Sequence, residues 1–183
     1  MVISPFKKSS VLKNKNTKVF FTLGNRKFII EFTEFTINNR TCVHVEFGQR
    51  IGPFTAQFTM NNMDKHKALS VIRRVIDETQ HYYSHFDMVV FSSLDRNEKR
   101  DAIYGRIAKD MAIRHHCELT INKIHKTYGK LFVIHKGCYD EDIDTELQDT
   151  LSSNGLFVIG GGLLLGVYAL MDFIGGLFDF LPF

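Results

Sequence analysis

The order of short β segments and amphipathic helices is the feature that most constrains the fold of this chain. From Thr17 onward, segments rich in Phe, Ile, Val and Thr are separated by turn signals at Gly24-Asn25, Asn38-Asn39 and Gly48 to Pro53. Connections this short predict an antiparallel meander. The four predicted strands are residues 17–23, 27–35, 41–47 and 54–60.

Two helices and three further strands are predicted after the meander. Apolar residues recur at Ala68, Ile72, Val75 and Ile76 with helical spacing, and the opposite side of that helix is basic. Residues 88–91 form a short apolar strand, and a second helix is predicted over roughly residues 96–115. Strands at about 117–125 and 130–136 complete the chain order β-β-β-β-α-β-α-β-β. The sequence therefore predicts an α/β (α+β) fold with a mixed, mostly antiparallel sheet and two helices.

A short motif lies in the second predicted helix. Asn97, Ile103 and Tyr104 match N-x-x-A-x-x-L-Y-x-x-x-G-F, which many GNAT N-acetyltransferases carry, while Arg100, Ala108 and Lys109 replace its Ala, Gly and Phe. With this motif and this element order, roughly residues 17–136 resemble the GNAT superfamily from its second strand onward. The resemblance implies a GNAT-like domain over residues 17–139.

The loop that would bind acetyl-CoA departs from the family pattern. The resemblance implies a loop Q/R-x-x-G-x-G/A whose backbone N–H groups hold the pyrophosphate at a helix N-terminus. Residues 59–65 contain no glycine, and Asp64 places a carboxylate there. A partial match over residues 49–52 precedes Pro53 and is interpreted as a hairpin turn. We therefore expect a degenerate member that binds no cofactor and is more readily explained as a non-enzyme, with acetyl-CoA-dependent N-acetyl transfer as the alternative.

Three groups of residues are candidates for a chemical role. By the resemblance, Tyr104 would be the general acid toward the departing thiolate, but its helical position inside the apolar arc of Ile103 and Ile107 favours a core tyrosine. Glu46 alternates with apolar neighbours on its strand, which predicts a solvated carboxylate. His115, His116 and Cys117 follow no closed-site metal spacing, so no metal is expected.

Charge divides the chain sharply. Residues 1–139 hold all 23 Lys and Arg against 12 acids, a net charge of +11, while the remainder carries −8. Residues 1–16 form a basic N-terminal arm without the apolar core of a secretory signal, which predicts a start on the cytoplasmic side. The basic body leaves nucleic-acid binding as a further alternative. The predicted basic patch comprises Lys65, Arg73, Arg74, Lys99, Arg100 and Arg106.

The C-terminal end changes character twice. Residues 140–150 hold most of the remaining acids and are predicted to be an acidic linker, and residues 151–183 form a hydrophobic tail rich in Gly and Phe. The 22 residues from Thr150 to Met171 carry no charge, which is near the length needed to span a bilayer. The tail residues predicted to insert into a membrane or a partner are Leu156, Phe157, Val158, Ile159, Leu163, Leu164, Leu165, Phe173, Phe178 and Phe180.

These features predict a non-catalytic structural or binding module anchored by its tail. Its partners would be a membrane or a larger assembly such as a phage virion or ejection component, or further copies of the chain. The tail needs such a cover because an exposed apolar segment of this size favours aggregation. The third alternative is that the tail packs on the domain of its own chain. The expected localisation is membrane-associated or particle-incorporated.

Overall fold

A computed structural model describes residues 15–51, 54–57, 65–93, 98–124 and 129–153. That part of the chain contains seven strands and four helices. In chain order they are β1 (Lys15–Leu23), β2 (Arg26–Ile37), β3 (Arg40–Ile51), β4 (Phe54–Gln57), α1 (Lys65–Thr79), α2 (Tyr82–His85), β5 (Met88–Ser93), α3 (Glu98–Arg114), β6 (Glu118–Lys123), β7 (Lys130–His135) and α4 (Glu141–Ser153).

The first three strands form the predicted meander. Gly24 turns the chain between β1 and β2 with φ of 63°, a conformation that glycine adopts without a steric penalty. Asn38 and Asn39 join β2 to β3 with φ of 47° and 62°, as a two-residue hairpin turn requires. β3 then runs through Ile51 and pairs antiparallel with β4, with Ile51 opposite Phe54, so Gln49, Arg50 and Ile51 lie in one strand of a hairpin.

The seven strands form one mixed sheet. Its main order is β1-β2-β3-β5-β7-β6, and β4 pairs with the C-terminal part of β3. β3 and β5 are parallel, with Cys42 opposite Met88 and Val45 opposite Phe91. All the other pairs are antiparallel. The predicted mixed, mostly antiparallel sheet is therefore confirmed for the described residues.

One side of the sheet, which we call the first face, is closed by α1 and α3. The helices direct apolar residues at three- and four-residue intervals toward the sheet, as amphipathic helices do. Aromatic and β-branched residues at alternate strand positions pack against them. The principal members of this core are Phe28, Phe32, Val45, Val75, Phe91, Ile107, Met111 and Phe132.

Residues 140–150 are not a linker. They begin helix α4, which packs on the opposite side of the sheet, the second face, through Ile143, Leu147 and Leu151. These three residues repeat every four positions and so form an apolar stripe. Asp140 caps the helix by accepting a hydrogen bond from the Ile143 backbone N–H at 3.0 Å. The acids that suggested a linker instead favour the helix, because several stand in its positively polarised first turn.

One carboxylate connects α4 to the edge of the sheet. Asp144 Oδ1 accepts hydrogen bonds from Asn122 Nδ2 of β6 at 2.8 Å and from the Tyr139 hydroxyl at 2.7 Å. Its Oδ2 accepts a third from Gln148 Nε2 at 2.9 Å. Together with the apolar stripe, these hydrogen bonds hold the helix in a defined position on the second face.

Candidate functional site

The second face carries a group of polar side chains that no local sequence motif predicts. We call Glu31, Thr33, His44, Glu46 and Ser92 the polar row. The register of β2 and β3 places Thr33 opposite His44 and Glu31 opposite Glu46. Ser92 follows Phe91, whose partner on β3 is Val45, so the parallel pair brings it beside Glu46. Three strands thus gather these five residues on one side of the sheet.

His44 and Ser92 form the closest contact of the polar row. His44 Nε2 lies 2.8 Å from Ser92 Oγ, and the imidazole is 1% exposed. Burial lowers the pKa of His44 to about 4, so the ring is neutral near pH 7. Within the described ranges, Nδ1 is buried without a hydrogen-bond partner. The pair therefore joins a hydroxyl to a neutral base, as nucleophile activation requires, but no described carboxylate orients the ring from Nδ1.

The prediction that the Glu46 carboxylate is solvated is wrong, because the structure encloses much of this group. Burial, with a smaller contribution from the Glu31 carboxylate opposite, raises the pKa of Glu46 to about 7, although the Lys18 ammonium acts in the other direction. Lys18 Nζ lies 3.1 Å from Glu31 Oε2 and pairs with that carboxylate. Strand alternation placed Glu46 correctly on the face opposite Val45, but alternation does not show whether that face is covered. A carboxyl group with this pKa can accept and release a proton near neutral pH.

Tyr104 lies on the other side of the sheet. It is 3% exposed, and its ring meets Phe47 edge-on at a centroid distance of 5.0 Å and Phe132 at 6.3 Å. This is the core position that its helical angle predicts. Because Tyr104 belongs to the first face and Glu46 to the second, the fold does not bring the two candidate proton-transfer groups together.

The predicted basic patch is only partly on the surface. Arg73 and Arg74 are exposed on α1, and Arg106 is exposed on α3. Arg74 Nη2 pairs with Glu78 Oε1 at 2.5 Å, one helical turn away. Arg100 is 6% exposed and does not belong to a surface patch, because its position three and four residues before Ile103 and Tyr104 directs it to the buried side of α3. The side chains of Lys65 and Lys99 lie outside the description.

The described ranges contain no group of three or more His, Cys, Asp and Glu residues placed to bind a metal ion. They also contain no helix with the length and apolar character needed to cross a bilayer. All the tail residues predicted to insert, from Leu156 to Phe180, lie outside the described residues. The same is true of residues 58–64, which include most of the segment compared with the pyrophosphate loop.

Comparison with known proteins assigns no family. No protein-family model, no curated protein and no solved structure matches the chain significantly. A functional hypothesis therefore has to rest on the residues of this chain and on their geometry.

Proposed function

We propose that this protein is a non-catalytic, GNAT-like structural or binding module that residues 151–183 attach to a membrane or a larger assembly. A phage virion or ejection component would be an assembly of this kind. The observation that carries the proposal is the position of Leu151. It is the first residue of the predicted tail, it lies in α4, and it is 0% exposed against the second face.

The first residues of the predicted tail are held in place on the domain. Asp140 caps α4, and Asp144 binds its side to β6 through Asn122. The apolar segment therefore continues from a helix that is packed on the sheet.

The element order supports the GNAT-like part of the proposal. From β1 to β7, a meander is followed by a helix, a strand, a second long helix and a closing hairpin, which is the order that the resemblance implies. The enclosed ring of Tyr104 and the glycine-free sequence of residues 59–65 support use of such a fold without acetyl transfer.

Vesicle flotation and sedimentation of the full-length chain test the attachment. The double variant Leu163→Asp/Leu164→Asp puts two charges in the apolar segment, and Ile113→Asp/Ile121→Asp, at two exposed positions, is the matched control. Neutral phosphatidylcholine vesicles exclude attraction of the basic body to anionic lipid. We expect the wild type and the control to float with vesicles, or to sediment as assemblies without lipid, and the tail variant to do neither. Identical behaviour of the wild type and the tail variant in both measurements would contradict the proposal.

Acetyl transfer is retained as a second candidate because of Glu46. A half-buried carboxyl group with a pKa of about 7 has the proton affinity of a general base for an amine substrate. Calorimetric titration of the full chain with acetyl-CoA separates the two candidates. Micromolar binding would favour the transferase, and the absence of heat at millimolar acetyl-CoA would favour the non-catalytic module.

A further inference from the structure

A groove on the second face lies at the end of the sheet where β1 turns into β2. It is distant in sequence from the tail and is formed by the three strands of the meander. The lining residues are Phe20, Phe21, Thr22, Lys27, Phe28 and Arg50. Strand alternation places the side chains of Phe20, Thr22, Lys27 and Arg50 on the second face, whereas those of Phe21 and Phe28 belong to the first. Two of these residues are cationic and none is acidic, so the groove favours an anionic ligand.

Phe20 is the unusual residue of this groove. Most large apolar side chains of the described ranges are buried, but Phe20 is 55% exposed on strand β1. The Arg50 guanidinium carbon lies 5.4 Å from the centroid of its ring, in a cation–π contact. The guanidinium occupies one region of the ring, and the exposed remainder is available to a second flat group.

A row of polar groups crosses the three strands beside this ring. Thr22 lies opposite Lys27 in the β1–β2 register, and Lys27 lies opposite Arg50 in the β2–β3 register. Adjacent strands are about 5 Å apart, so a hydroxyl, an ammonium and a guanidinium group follow one another at short intervals. Such a row suits the repeated phosphates of an extended chain better than a single small anion.

The acids of the second face lie farther along the same strands. Glu46 precedes Arg50 by four residues, which is about 13 Å along an extended strand. Glu31 follows Lys27 by the same number and is paired with Lys18. These two second-face carboxylates therefore lie well away from Lys27 and Arg50 along their strands.

We propose that this groove binds single-stranded nucleic acid, with a base stacked on Phe20 and the adjoining phosphates contacting Arg50 and Lys27. Exposed aromatic rings beside cations on a sheet surface are the arrangement by which proteins hold unpaired bases. The charge of +11 over residues 1–139 adds long-range attraction for a polyanion. The binding surface is thus the sheet and not the helical patch predicted from the sequence. The inference does not depend on the attachment proposed for residues 151–183.

A fluorescent reporter tests the stacking directly. The chain contains no tryptophan, so Phe20→Trp in the full-length protein introduces a single tryptophan at the proposed contact, and the excitation wavelength separates its emission from that of the six tyrosines. We expect a 12-residue oligothymidylate to quench its emission, while inorganic phosphate at the same charge concentration leaves the emission unchanged. Equal quenching by phosphate, or no quenching by the oligonucleotide, would overturn the proposal.

Affinity variants separate the groove from general basicity. In fluorescence anisotropy with labelled oligothymidylate, we expect Phe20→Leu to weaken binding roughly 5- to 100-fold, because an aliphatic side chain does not stack. Arg50→Gln should weaken binding and reduce the salt slope by about 0.7, the value for one phosphate of a single strand. Arg106→Gln removes the same charge from an exposed position on α3 and should change the affinity less than twofold. Equal losses for Arg50→Gln and Arg106→Gln, or unchanged affinity for Phe20→Leu, would contradict the assignment.

Two further ligands complete the test. A duplex of the same length should bind more weakly than the single strand, because its bases are already stacked and do not reach Phe20. Duplex binding as tight as single-strand binding would overturn the proposal. Binding to phosphatidylglycerol vesicles that Arg50→Gln abolishes, without any binding of oligothymidylate, would instead identify the groove as a lipid headgroup site and would also overturn it.

Discussion

The two faces of the sheet are built from different kinds of side chain. Under α1 and α3, the first face is almost wholly apolar, and even Tyr104 is held between phenylalanine rings. The second face is divided into the apolar contact with α4, the polar row and the groove around Phe20. The first face therefore contributes mainly apolar packing, whereas the second face combines apolar packing with the polar row and the groove.

The largest expected effects come from the apolar contacts of each face. Phe132→Ala should lower the free energy of unfolding by about 3–5 kcal/mol, and Leu147→Ala on α4 by about 2–4 kcal/mol, because both remove fully enclosed side chains. Leu69→Ala, at an exposed position on α1, is the control and should cost less than about 0.5 kcal/mol. Urea denaturation followed by circular dichroism measures all three. A Leu147→Ala value as small as that of the control would mean that α4 is not part of the folded unit.

The stability of the protein should depend on pH through two residues of the polar row, His44 and Glu46. The folded-state pKa of Glu46 is raised from 4.5 to about 7. Its contribution to the free energy of unfolding is therefore fully present below pH 4.5 and is lost as the pH rises through 7. The folded-state pKa of His44 is lowered from 6.5 to about 4. Its contribution to the free energy of unfolding is therefore fully present above pH 6.5 and is lost as the pH falls toward 4. The two slopes oppose each other between pH 4.5 and 6.5 and largely cancel in the wild type.

Single substitutions should remove that cancellation. Relative to the wild type, Glu46→Gln should make stability rise with pH over this interval, and His44→Gln should make it fall, each by about 1–3 kcal/mol. The measurement is the free energy of unfolding in urea at pH 4.5, 5.5, 6.5 and 7.5. Profiles that stay parallel in all three proteins would show that neither group titrates differently in the folded and unfolded states.

The smallest expected effect concerns Tyr104. If its ring serves only the core of the first face, Tyr104→Phe preserves the contacts with Phe47 and Phe132 and costs at most about 1 kcal/mol, the value of one hydrogen bond. Thermal denaturation of the variant provides the measurement. A loss above about 3 kcal/mol would assign the hydroxyl a structural role that aromatic packing does not explain.

Most strands and the two long helices of the first face were predictable because their information is local. Turn residues such as Gly24 and Asn39 mark the hairpins, and the spacing of Ala68 and Val75 marks a helix. Helix α4 was missed because its charge density hid the stripe formed by Leu147 and its neighbours at four-residue spacing. The repeating apolar positions were the signal that could have revealed it.

The polar row was not predictable from local patterns. His44 and Ser92 are 48 residues apart and meet only through the parallel register of β3 and β5. The environment of Glu46 likewise depends on what covers the second face, which a strand's own alternation does not reveal. The contact between Phe20 and Arg50 was not predictable either, since Arg50 lies on β3, which does not pair with β1.

On one side β3 pairs with β2, and on the other side it pairs with both β4 and β5. These pairings differ in how far apart the partners are in sequence, which affects how the sheet folds. β3 reaches β2 through a two-residue turn, but it meets β5 only when residues 42 and 88 come together across a much longer stretch of chain. Loop-closure entropy makes the first contact less costly than the second, and long-range pairing slows folding. The groove of Phe20 is built within the meander and depends on near neighbours in sequence. The hydrogen bond between His44 and Ser92 exists only after β3 and β5 have paired, so its formation reports that the meander has joined the rest of the sheet.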